Sequence, residues 1–92
     1  MKDECEPFLE KLAAELNRRA PLRARVERTV EAALVRVVNP EAGWLTERVG
    51  CRREHPAGGE FFFWWEWGPR IGSAEDVGHV AAAVARALTP EP

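Results

Sequence analysis

The sequence predicts an α+β fold, a two-layer sandwich in the order helix, antiparallel meander of three to four strands, helix, with both helices on one face of the sheet. Three observations carry this. Apolar residues recur at helical spacing near each end of the chain, the middle is rich in β-branched and alternating segments, and residues 61–67 are almost all aromatic. With 92 residues, 46% of them apolar, the chain supports one domain, residues 1–92, with an ordered core over about 7–88.

Residues 7–19 read as the first helix. Phe8, Leu9, Leu12, Ala13 and Leu16 form one stripe, Pro7 suits the first turn and Pro21 forbids continuation. The stretch 21–34 fits two patterns. Leu22, Ala24 and Val26 alternate with Arg23, Arg25 and Glu27 as in a strand, whereas Leu22, Val26, Val30 and Ala33 also fit a helix. Strands at about 22–29 and 33–38 are the preferred reading, because a helix would leave the aromatic strand with few partners. Asn39-Pro40-Glu41-Ala42-Gly43 is a turn by composition.

Residues 45–54 alternate again, with Leu45, Val49 and Cys51 on one side and Thr46, Arg48, Arg52 and Glu54 on the other; Glu47 is the misfit. A loop is expected at His55-Pro56-Ala57-Gly58-Gly59, then the aromatic strand, ended by Gly68-Pro69. Ser73 to Asp76 resembles a capping box for a last helix striped by Val77, Val80, Ala81, Val84 and Leu88 and closed by Thr89-Pro90. Beyond Leu88 a frayed tail is expected.

Side chains of a strand point alternately to its two faces. Phe61, Phe63, Trp65 and Trp67 are therefore assigned to the core under the helices, and Phe62, Trp64 and Glu66 to the open face. Arg23, Arg25, Glu27, Arg36, Arg48, Arg52 and Glu54 should share that open face. Guanidinium groups stacked on the two rings would make it an ordinary solvated sheet. Adjacent aromatics ringed by arginine also match the composition of protein-interface hot spots. Phe62 and Trp64 are the expected anchors, with Arg36, Arg48 and Arg52 orienting a protein partner or, in a homodimer, a second copy. The alternative is a nucleic-acid-binding domain using the same face; the net charge of −2 and the three carboxylates there count against it.

Several function classes receive no support. No apolar run reaches the roughly 20 residues of a membrane span, and no apolar stretch follows the acidic start, so a cytoplasmic chain with no membrane partner is expected. Cys5 and Cys51 are too few for a disulfide framework; Cys51 is expected buried and Cys5 exposed. Cys51 and His55 do not make a metal site without further ligands, and no cofactor is implied. His55 in a Gly/Pro loop, His79 flanking a helix stripe and Ser73 as a cap do not assemble into acid–base or nucleophilic chemistry, so no enzyme is expected.

Val38-Asn39-Pro40, the run Phe62-Phe63-Trp64-Trp65-Glu66-Trp67-Gly68 and the Ala-rich final helix resemble their counterparts in a group of small bacterial proteins, over roughly residues 33–88. The resemblance implies no established activity and transfers no site residue. Some members accompany helix-turn-helix regulators, which implies a regulatory accessory role.

Overall fold

The computed structural model describes residues 4–55 and 58–90. Its elements are α1 (Glu6–Asn17), β1 (Arg23–Arg28), β2 (Ala33–Val38), β3 (Thr46–His55), β4 (Gly58–Trp65), β5 (Arg70–Ser73) and α2 (Val77–Ala87). The strands form one antiparallel sheet in chain order, β1-β2-β3-β4-β5. The expected α+β sandwich is present, with a fifth strand added to the meander.

α1 buries Leu9, Leu12, Ala13 and Leu16, and α2 buries Val80, Ala81 and Val84. Both stripes join Val35, Val37, Val49 and Phe63 of the sheet in one core. The register explains why those four strand residues meet. Val26 lies opposite Val35, Val35 opposite Val49, Ala24 opposite Val37 and Cys51 opposite Phe63, so one apolar row after another faces the helices. Between β1 and β2 the chain turns tightly: the Thr29 hydroxyl donates to Ala32 O at 2.8 Å and accepts from Ala32 N. These pairings settle the ambiguous stretch as two strands joined by a tight turn, not a helix.

Polar side chains fix how the layers meet. Asn17 Nδ2 donates to Ala24 O while its Oδ1 accepts from Ala24 N, both at 2.8 Å, so the last residue of α1 mimics a neighbouring strand along β1. Arg28, at the end of β1, forks onto the Glu6 carboxylate at 2.8 and 3.1 Å. That hydrogen bond first, and the Glu6 charge second, hold the Arg28 guanidinium above its ordinary pKa. Asn39 is buried; it donates to Leu88 O at 2.8 Å and accepts from Glu41 N at 3.0 Å, tying the β2–β3 connection to the end of α2.

Four expectations change in detail. Trp67, assigned to the core, is 67% exposed. β4 stops at Trp65 because the following turn closes on it: Gly68 N donates to Trp65 O, and Trp65 N donates to Pro69 O. Trp67 instead stacks on Trp65, with centroids 6.0 Å apart, and donates through Nε1 to Glu47 at 3.1 Å. The misfit of Glu47 in the β3 alternation is thereby explained.

The helix cap also moves. Ser73 belongs to β5, and its hydroxyl donates to Glu60 and accepts from Glu75 N. Asp76 is the N-cap of α2, accepting from His79 N at 3.2 Å. The cysteines exchange roles: Cys5 is buried in line with the α1 stripe, and its thiol donates to Cys51 O at 3.0 Å, whereas Cys51 is half-buried. Finally, His55 ends β3 and Gly58 and Gly59 begin β4, where a loop was expected; Gly59 has φ +99°, a conformation that side chains rarely adopt. Pro56 and Ala57 of that loop, and the last two residues of the tail, lie outside the described residues.

Three substitutions test this packing by urea denaturation. Phe63 has no exposed surface, so Phe63→Ala should cost about 3–5 kcal/mol. Phe62→Ala, on the opposite face, should cost about 1 kcal/mol; equal losses would mean that both faces are sealed alike. Asn39→Ala should cost about 1–3 kcal/mol, because it strands the buried Leu88 carbonyl.

Candidate functional site: the open sheet face

The burial of Phe63 sends Phe62 and Trp64 to the face that no helix covers. Arg52 lies opposite Phe62, Gly50 opposite Trp64, Arg36 opposite both Arg25 and Arg48, and Arg70 opposite Trp64 on its other side. The structure thus brings Phe62, Trp64, Arg36, Arg48 and Arg52 onto one surface, with Arg23, Arg25, Glu27 and Glu54 beside them, as the alternation predicts. Arg70 and Glu60 also belong to this surface and escaped the sequence reading. The strand that carries Arg70 is four residues long and follows Gly68-Pro69 directly, which reads as the end of the sheet.

Both rings are half-buried, and arginine does the covering. The Arg52 guanidinium sits 4.1 Å from the Trp64 ring centroid, and Arg70 sits 4.3 Å from Phe62 and 5.9 Å from Trp64. Each stack contributes about 0.5–1 kcal/mol at such exposure while keeping water off the rings.

The face is positive despite the acidity of the chain. Arg23, Arg25, Arg36, Arg48, Arg52 and Arg70 outnumber Glu27, Glu54, Glu60 and Glu66, against a whole-chain charge of −2. Glu27 is shared by Arg25 at 3.4 Å and Arg36 at 3.8 Å, Glu66 faces Arg48 at 3.6 Å, and Glu54 faces Arg70 at 3.7 Å. These exposed pairs are each worth little. Arg23 and Arg52 have no carboxylate within ion-pair distance among the described residues.

One feature of the sheet creates a depression beside Trp64. The β2–β3 register runs from Val38 opposite Thr46 only as far as Val35 opposite Val49. Past that point Ala33 and Leu34 pair with β1, and Gly50 to Arg52 pair with β4, so the sheet splays. A hollow of about 360 Å³ lies there, lined among others by Leu34, Gly50, Arg52, Trp64 and Glu66. Gly50 enlarges it: a Cβ built at that position meets nothing within 4 Å. A second hollow, of about 280 Å³, is bordered by Arg23, Arg25, Arg36 and Val38 at the other side of the face.

Trp64 Nε1 is buried and has no acceptor among the described residues. The other such nitrogen, Arg19 Nε, at least has Glu15 at 3.6 Å. The guanidinium groups stacked on this indole, Arg52 and Arg70, have donors but no acceptor to offer it.

The remaining candidates of the sequence do not converge on this face. His79 is exposed on α2, with its backbone N–H engaged by Asp76, and His55 is exposed at the end of β3. Among the described residues, no group of three or more His, Cys, Asp or Glu side chains is placed to hold a metal ion, and no helix is long and apolar enough to cross a membrane. No protein-family model, curated protein or solved structure matches the chain.

Replacing the indole tests the orphan donor. Trp64→Phe removes both the buried N–H and some apolar area, two effects of opposite sign. Its unfolding free energy should stay within about 1 kcal/mol of wild type. A loss above about 2 kcal/mol would mean that the indole N–H has a partner in the folded chain.

Proposed function

We propose that this chain is a non-catalytic interaction domain that binds a protein through the open face of its sheet, with Phe62 and Trp64 as anchors and Arg36, Arg48 and Arg52 orienting the partner. The observation that carries this reading is the half-buried Trp64, its indole N–H without an acceptor, beside an uncovered hollow and an unpaired Arg52. Aromatic and arginine side chains clustered at the centre of a face are the composition of interface hot spots. A regulatory accessory role in the cytoplasm is consistent with such a domain and belongs to the same proposal.

Self-association through this face would press together two copies of one surface on which six arginines outnumber four glutamates, so the positive surplus of each would meet that of the other. Charge therefore favours a heterologous protein over a second copy. Nucleic acid is the second reading, favoured by the same arginines together with a ring available for base stacking. Glu27, Glu54, Glu60 and Glu66 on the surface oppose it.

Three measurements separate these outcomes. Sedimentation of wild type should give a monomer mass at micromolar concentration; a dimer that Trp64→Ala converts to monomer would transfer the role to self-association. Affinity capture from nuclease-treated extract should retain a protein on wild type and lose it on folded Trp64→Ala and Arg48→Glu. Binding of single-stranded RNA that collapses steeply with added salt would favour the second reading instead.

A further inference from the structure

The splayed hollow beside Trp64 has a chemistry specific enough to name its occupant. Its apolar part includes Ala33, Leu34, the bare Gly50 backbone and the side chains of Trp64, Trp65 and Trp67. Its polar part consists of Glu66, already paired with Arg48 at 3.6 Å, and of two groups with no acceptor among the described residues, the Arg52 guanidinium stacked on the Trp64 ring and the Nε1 of that ring. We propose that this hollow is the specificity site of the open face, and that it takes an acidic segment of a partner protein, with an apolar side chain seated over Gly50 and an adjacent Asp or Glu carboxylate bound to Arg52 and Trp64 Nε1. The inference rests on the open-face reading and adds the partner's chemistry to it.

Charge and donor count decide against other occupants. A neutral apolar side chain alone would leave Arg52 without a counter-ion and the indole N–H without an acceptor. A basic segment would meet the positive surplus of the face. A carboxylate accepts from several donors at once, and charge-assisted hydrogen bonds are roughly twice as strong as neutral ones. Arg52 is exposed and has no carboxylate partner among the described residues, so lifting it from the ring breaks no ion pair. A carboxylate that engages Arg52 beside the ring would offer its second oxygen to Nε1. Gly50 matters because any side chain there would fill the space the apolar group needs, while an extended strand tolerates one without strain.

Three synthetic N-acetylated pentapeptides serve as probes: Asp-Glu-Phe-Asp-Glu, its amide counterpart Asn-Gln-Phe-Asn-Gln, and Asp-Glu-Ala-Asp-Glu. Binding is followed on the indole N–H resonances of ¹⁵N-labelled protein, with the Trp64 signal assigned by its loss in Trp64→Phe. The acidic Phe peptide should move the Trp64 resonance downfield and bind at least tenfold more tightly than either control. Arg52→Gln should weaken it about tenfold. Gly50→Leu should abolish it while the urea midpoint stays at or above that of wild type. Equal affinity for the three peptides, an unmoved Trp64 signal, or full binding by Gly50→Leu would overturn the proposal. The two readings fail separately: if no peptide binds yet Arg48→Glu still loses a captured protein, only the acidic occupant is wrong. If the peptides move the Trp44 signal instead and leave Trp64 and Trp67 unmoved, the open-face reading falls as well.

Discussion

Phe63 has no exposed surface, and a pleated strand cannot bury that ring without turning Phe62 and Trp64 the opposite way. Much else follows from this. The sheet must present its Phe63 face to the two helices, because Leu9, Leu12 and Leu16 from one and Val80, Ala81 and Val84 from the other need an apolar floor. The register across β3 and β2 then places Val49, Val35 and Val37 on that floor and commits every intervening residue to the other side. A slip by a single residue would bring arginines under the helices and valines into water.

The other side is consequently a place where large rings must live without a lid. Arginine from β3 and β5 supplies a movable one. It shields Trp64 and Phe62 by stacking and brings positive charge, while the indole N–H has no acceptor among the described residues. A surface built this way keeps water from its rings and, on the reading proposed above, offers an incoming carboxylate two donors. The same surplus of arginine over glutamate, set against an acidic remainder, gives the molecule a field directed out of the sheet, which speeds encounter with negatively charged partners.

What could be read from the residues was whatever strict alternation encodes. Val35, Val37, Val49 and Phe63 against Arg36, Arg48, Arg52, Phe62 and Trp64 form a period-two pattern, and the faces followed from it. Features that depend on turn geometry were not readable. Trp67 obeys the alternation as a string of letters, yet the turn at Gly68 and Pro69 ends the strand before it, and only the Glu47 misfit hinted that a polar partner was needed. Ser73 looks like a cap until β5 claims it. The burial of Cys5 was signalled, because its position extends the Leu9, Leu12, Leu16 stripe by one turn. The splay between β2 and β3 has no local signature beyond Gly50, since strands diverge through sheet twist and packing, which are properties of the whole assembly.

Asn17 has a consequence reaching past the single molecule. Its carboxamide occupies the outward N–H and C=O of Ala24, the groups by which β1 would recruit another strand. Uncovered sheet margins are templates for ribbon growth and amyloid-like stacking, and one amide at the end of α1 blocks this margin near the start of β1. Recognition by strand addition is discouraged there for the same reason.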